Sequence, residues 1–429
     1  MTEFAETDFF KDPAVGQDPY PYFEQLRARC PVFQESHHDV VMVTGWEEAV
    51  EIFHDADRFS SCISVTGPFP GFPVPLEGDD VSDQIEAHRD KLPFNDQLPT
   101  LDPPAHTDHR ALLMRLITPK RLKENEDAMW QLADRQLDEF LTGGRGELIG
   151  GFATPFTLLV IADLLGMPPE DRDEFAATVQ GGHQAGGGIG GMSDQGLALN
   201  PLEFLYERFS GYIQERRRNP SGGVLTEMAQ ARFPDGSVPT ALEVAKVAAN
   251  VFSAGQETTV RLLGSAFRIL AEDPELQAGL RADRSRITNF IEETLRLESP
   301  IKGDFRLSKV PVTIGGVDLP AGTTVMVLNG AANRDPRQFD DPAVFDAARQ
   351  NARRHISFGR GNHTCPGAPL ARAEAKVAVE RILARTTDIR IAEDRHGPAH
   401  DRRYHYLPTF ILRGLTQLNL EFDLRDAAR

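Results

Sequence analysis

The sequence predicts a mainly α-helical chain with a smaller β-rich part, an α+β class in which helix dominates. Three observations carry this. Ala241 to Leu270 is an apolar run of helical period, well beyond the length of an ordinary helix. Helical patterns also cover Leu122–Leu141, Phe152–Leu165 and Pro201–Arg218. Strand-like segments gather late, at Val310–Leu328 around a Gly315-Gly316 turn and at Tyr404–Phe422, whose alternation suits a hairpin.

Composition bounds the function. The chain has 429 residues, of which 40% are hydrophobic, enough for a sizeable core. Length alone would allow two or three domains, but no linker-like stretch divides the chain, so one large domain is also open. Three cysteines, Cys30, Cys62 and Cys365, are too few and odd in number for a secreted disulfide framework. No apolar run is long enough for a membrane span. Met1 to Asp18 is acidic and lacks the basic start and apolar middle of a signal peptide, so a cytoplasmic protein is expected. A net charge of −18 argues against nucleic acid as a partner. Basic residues nevertheless cluster at Arg349–Arg385 and His106–Lys123, as either solvated helix faces or a docking patch for an acidic partner.

The elements follow in order. Tyr20–Arg29 reads as a helix, Val40–Val43 as a strand and Trp46–Phe53 as a helix. Residues 61–100 form a long irregular stretch with Phe69, Phe72 and Phe94 among polar residues. Pro103-Pro104 suits a helix start, and His106 and Arg110, four apart, share its face. Gly181 to Gly191 contains a formal Gly-x-Gly-x-x-Gly, but no strand precedes it and no βαβ unit follows. A lid is the better reading of that segment.

The long helical run is punctuated by Ser253-Ala254-Gly255-Gln256-Glu257-Thr258-Thr259. Gly255 weakens the helix, and the Thr258 hydroxyl can bond the Ala254 carbonyl four residues back. Glu293 and Arg296, three apart, share a helix face, and that helix should end before Ser299-Pro300. Lys302 and Asp304 follow, close enough to pair or to orient a polar end of a ligand. Phe358 to Gly367 then reads Phe-Gly-Arg-Gly-Asn-His-Thr-Cys-Pro-Gly ahead of a helical run, Ala368–Arg385. Pro366 fits a helix start, which puts the Cys365 sulfur near a helix N-terminus that favours thiolate. One cysteine cannot build a zinc or iron–sulfur site, but one thiolate can be an axial ligand to haem iron.

The window from Phe358 to Gly367 resembles the haem-binding signature of the cytochrome P450 monooxygenases through Phe358, Gly361, His363, Cys365 and Gly367. Ala254-Gly255-x-Glu257-Thr258 is similar to that family's oxygen-activation motif. Glu293-x-x-Arg296, Phe345-Asp346-x-x-Arg349 and Ala332-Asn333-Arg334-Asp335-Pro336 are similar to its scaffold motifs. The resemblance implies the triangular, mostly helical P450 fold as a single domain, residues 1–429, with the irregular 61–100 stretch at the substrate pocket. It implies haem b (iron protoporphyrin IX) ligated by Cys365, with His106, Arg110, Arg306 and His363 on the propionates. Thr258 and Glu257 would handle protons during insertion of one O2 oxygen into an apolar small molecule such as a terpenoid, steroid or fatty acid. Electrons would come from NAD(P)H through a ferredoxin reductase and an iron–sulfur ferredoxin. Pro366 departs from many relatives, which carry an N–H there beside the sulfur. Two alternatives are a peroxide-driven haem peroxygenase and a non-catalytic haem-binding sensor. Neither needs Glu257 and Thr258 together.

Overall fold

A computed structural model describes residues 7–172, 174–175 and 202–425. The long helix runs Ala241–Glu272. It starts at a reciprocal cap in which the Thr240 side chain accepts from the Glu243 backbone and the Glu243 side chain accepts from the Thr240 backbone. It passes through Gly255 without a break, and a Cβ there would stand 3.2 Å from Ile161 Cδ1. The glycine lets the apolar helix Thr154–Leu164 lie close against the long helix. The expected helix Leu122–Leu141 is two, Pro119–Glu124 and Glu126–Phe140, divided at Asn125. The helix after the cysteine runs Ala368–Arg385, as read from the sequence.

These helices close one large core, with Leu112, Phe152, Phe252, Phe267, Leu370 and Val377 among its buried members. A second core lies around Phe9, Phe10, Phe23, Phe305 and Phe410. It packs on a five-stranded sheet in the order Val32–Gln34, Val41–Val43, Thr324–Val327, Asp304–Ser308, Phe59–Ser60. Only the Val41–Val43 and Thr324–Val327 pair is parallel. Asp304–Ser308 is an interior strand, and Arg306 is registered against Val325 of Thr324–Val327.

Two segments differ from expectation. Residues 61–100 include a helix, Ser82–His88, and Phe69 and Phe72 pack against the second core. Phe69 meets the rings of Phe10 and Phe410, because burying an aromatic ring there outweighs leaving it on a loop. The expected hairpin at Tyr404–Phe422 closes through a bridge from Tyr406 to Leu415. Its last strand, Asn419–Leu424, instead pairs with Thr386–Ile391 and Arg145–Glu147. Leu418, Leu420 and Phe422 draw it there by burying in the helical core. The expected lid at Gly181–Gly191 lies outside the described residues.

Candidate active site

Cys365 sits at the end of a turn held by its own backbone: the Cys365 N–H donates to the Phe358 carbonyl at 2.8 Å. Gly359 and Gly361 adopt φ of 64° and 66°, which L side chains rarely occupy. A Cβ on Gly361 would also stand 2.0 Å from the Phe53 carbonyl oxygen. The turn can therefore press against the end of helix Trp46–His54 only with glycine at that position. Cys365 is half-buried. Burial pushes its thiol up, opposed by hydrogen bonds from the Gly367 and Ala368 amides and by the charges of Arg110 and Arg372. Those amides and charges favour the thiolate, as the helix end does, whereas desolvation opposes it. The amide missing at Pro366 is also made good by the next two residues.

His106, Arg110, Arg306 and His363 come together beside this turn. The His106 and His363 rings lie 4.1 Å apart, centroid to centroid. Arg110 Nη2 donates to the Thr364 carbonyl at 2.6 Å, and the Arg306 guanidinium lies over the Phe53 ring at 5.3 Å. Burial, then the Arg110 charge, holds His106 down at about 4. Burial, then Arg306 and His106, holds His363 down to about 2. His106 Nε2 is buried without a hydrogen-bond partner. This donor set suits a haem: amide donors already aimed at the sulfur, and a crowd of basic groups whose repulsion two propionates would relieve.

On the long helix the Thr258 hydroxyl donates to the Ala254 carbonyl at 2.8 Å. Ala254 is exposed and Gly255, Glu257 and Thr258 are partly so, although Val251, Phe252, Thr259 and Val260 around them are buried. The motif therefore borders open space within an otherwise buried helix. Glu257 Oε1 accepts from Arg261 Nη2 at 3.0 Å.

The scaffold residues form one buried network. Glu293 accepts from Arg296 Nε and Nη2, both at 2.7 Å, and from Arg349 Nε at 2.9 Å. Arg296 also donates to the carbonyls of Asn333 and Pro342. Asn333 Nδ2 donates to Ser299 and Ser357, which pins the chain one residue before Phe358. Lys302 and Asp304 do not pair with each other. Asp304 accepts from Asn329 Nδ2, whereas Lys302 is buried and donates to the Thr409 carbonyl. Burial holds the Lys302 amine down at about 7.

The family description Cytochrome P450 matches residues 202–387. Cytochrome P450 144 of Mycobacterium tuberculosis (strain ATCC 25618 / H37Rv) is 35% identical over 98% of this chain and 92% of its own. The chain belongs to the cytochrome P450 family. Its fold agrees: the substrate-free form of Mycobacterium marinum cytochrome P450 CYP150A6 is 50% identical, with a TM-score of 0.92 over 99% of this chain and all of that one. The 6-deoxyerythronolide B hydroxylase of Saccharopolyspora erythraea is 30% identical over 95% of this chain and 96% of its own. This P450 is accordingly a haem-dependent monooxygenase that uses O2 and a redox partner on a small molecule. Among the described residues no helix is long and apolar enough to cross a membrane.

Several residues that matter here were not singled out from the sequence. Arg261 is four residues after Glu257, a spacing that predicts their meeting. Glu292 accepts from Arg372 at 2.7 Å and pairs with His355, tying the cysteine helix to the helix of Glu293. No short motif announces it, because its partners lie far along the chain. The basic stretch Arg349–Arg385 is largely spent in such pairs: Arg349 on Glu293, Arg372 on Glu292, Arg381 on Asp134 and Arg385 on Asp138. Arg353, which also reaches Glu292 at 3.5 Å, and Arg354 stay exposed, so a docking patch there is narrower than the charge count suggests.

Proposed function

We propose that residues 1–429 act as one cytoplasmic P450 domain that hydroxylates an apolar small molecule, such as a terpenoid, steroid or fatty acid. The balance is RH + O2 + two electrons + two protons → ROH + H2O. The electrons pass from NAD(P)H through a ferredoxin reductase and an iron–sulfur ferredoxin, which the exposed Arg353 and Arg354 would meet. The cofactor is haem b, with Cys365 as its thiolate ligand and His106, Arg110, Arg306 and His363 on its propionates. When bound, it supplies the electron store and the oxygen activation that no side chain can.

The chain's residues do the rest. Gly367 and Ala368 amides and the Arg110 charge stabilise negative charge on the Cys365 sulfur. Thr258 spends its hydroxyl proton on Ala254, so its oxygen is left to accept a proton donor on the open side of the helix. Glu257, partly exposed one residue away, can relay protons from solvent. Ala254 and Gly255 present little side-chain bulk on the open side of the same helix, next to buried Val251 and Phe252, which favours an apolar substrate.

The observation that carries this reading is the cluster of four basic side chains beside a cysteine turn with amide donors on its sulfur. The test is the absorption spectrum of the purified protein, reduced under carbon monoxide. A Soret band shifted far to the red, lost in Cys365→Ser, is expected. A band typical of histidine or neutral-thiol ligation would overturn the assignment.

A further inference from the structure

Arg261 lies one turn after Glu257 on the long helix and is only 7% exposed. Its guanidinium bridges two elements. Nη2 donates to Glu257 Oε1 at 3.0 Å, and Nη1 reaches the Leu415 carbonyl at 3.4 Å. It fits there because residue 414 is glycine: a Cβ on Gly414 would stand 2.0 Å from Arg261 Cδ and 2.7 Å from Cγ. Gly414 and Leu415 close the base of the C-terminal hairpin. The Leu407 N–H donates to the Gly414 carbonyl at 3.0 Å, and Leu415 bridges Tyr406. The hairpin's turn reaches the segment just ahead of the Arg306 strand, through a bridge from Leu412 to Ile301 and hydrogen bonds to Lys302. Arg261 Nε is buried without a partner, so the guanidinium is held at its two forked nitrogens and not along its stem.

We propose that Arg261 is a positioning residue that ties the Glu257 carboxylate to the base of the C-terminal hairpin, so that the hairpin's position governs proton delivery through Glu257. The inference rests on the reading of Glu257 and Thr258 as the proton relay. The physical basis is that a buried guanidinium must keep a counter-charge or an acceptor. If the hairpin moves, Arg261 loses Leu415 and shifts, and Glu257 shifts with it. A ligand pressing on the hairpin turn thereby reaches the relay without touching it. The chemistry affected is the partition of O2: with its protons well placed, two electrons give ROH and water, whereas with them misplaced the same two electrons and two protons leave as H2O2.

Three variants of the holoenzyme test this: Gly414→Ala, which expels the guanidinium while leaving Glu257 intact, Arg261→Gln, and Glu257→Gln. The reduced carbon monoxide spectrum reports that each is folded and loaded. Two readouts are taken. Hydrogen exchange of the amides of residues 405–416 should quicken about fivefold in Glu257→Gln, because Arg261, no longer anchored by the Glu257 charge, is held less firmly against Leu415. The ratio of H2O2 to product should rise about threefold or more in both Gly414→Ala and Arg261→Gln, and Gly414→Ala should add nothing further in a Glu257→Gln background, since coupled residues are not additive. Unchanged hairpin exchange in Glu257→Gln, or additive effects of Gly414→Ala and Glu257→Gln, would overturn the tether. A Glu257→Gln enzyme with the wild-type H2O2 ratio would instead overturn the relay reading, and the exchange measurement would still decide whether Arg261 joins Glu257 to the hairpin.

Discussion

Replacing Glu374 by glutamine should stabilise the protein, and by an amount that grows with pH. Glu374 lies on the cysteine helix, 1% exposed, facing the long helix. Its Oε2 is buried with no hydrogen-bond partner. Burial pushes its carboxyl up to about 8, against a side-chain hydrogen bond with Thr259 that favours ionisation. In the unfolded chain the group titrates at 4.5. Between those values the folded protein holds a proton that the unfolded chain has released. Stability from this group is therefore fully present below pH 4.5 and falls as pH rises toward 8. Glutamine imitates the protonated acid in shape and cannot ionise, so it escapes that loss. At 1.36 kcal/mol for each factor of ten, the advantage of Glu374→Gln is under about 1 kcal/mol at pH 5, about 3 kcal/mol at pH 7 and about 5 kcal/mol above pH 8. With an unfolding entropy of about 2 cal/mol/K per residue, 3 kcal/mol across a chain of this size raises Tm by roughly 3 °C. Thermal unfolding of the two holoenzymes at pH 5, 7 and 9 measures it. A Tm difference that stays constant with pH, or shrinks toward pH 9, would refute a buried neutral acid at this position.

Thr258→Ala should keep haem and accept electrons yet release more H2O2 for each NAD(P)H consumed, because the oxygen atom offered beside Ala254 is gone. An unchanged product yield per electron would exclude Thr258 from proton delivery. Glu293→Ala leaves Arg296 and Arg349 buried without their carboxylate, a loss of about 3–5 kcal/mol. It should yield haem-free or insoluble protein, and a haem content equal to wild type would contradict the role of this network in holding the cysteine turn. Glu298 is buried, and its carboxyl is held down at about 2 by Arg413, Arg268 and Arg334 against the cost of burial. Its contribution, about 3 kcal/mol, is present above pH 4.5 and is lost as pH falls toward 2. Unfolding of Glu298→Gln between pH 5 and 3 should accordingly depend less steeply on pH than that of wild type.

The parts of the molecule that were legible in the sequence share a physical trait: their information is local. The long helix follows from periodicity and its Thr240–Glu243 cap, and the cysteine helix and the helix Tyr20–Arg29 each carry a proline in the first turn. The cysteine turn is legible because a positive φ and a close backbone approach both demand glycine, at Gly359 and Gly361. What was missed depends on residues far apart. The strand Asn419–Leu424 alternates as a hairpin arm would, yet its partners are Thr386–Ile391 and the distant Arg145–Glu147, chosen by which core buries Leu420 and Phe422. The surroundings of Cys365 are hidden for the same reason. The helix end is visible locally, whereas the desolvation that opposes it comes from the packed surroundings.

Lys302 and Asp304 extend that argument to the site itself. Two residues apart and opposite in charge, they invite a pairing, but in the folded chain Asp304 meets Asn329 instead. Lys302 is left buried, held at about 7 by desolvation and then by Arg413, with its amine on the Thr409 carbonyl in the hairpin turn. The same hairpin receives Arg261 at its base. Both ends of this C-terminal element are therefore fastened by cations from the two segments nearest the chemistry: the long helix with Glu257 and Thr258, and the residues leading to Arg306. A neutral loop could be replaced without consequence for proton transfer. One fastened this way cannot move without leaving Arg261 short of an acceptor, and the proposed influence on Glu257 rests on that cost.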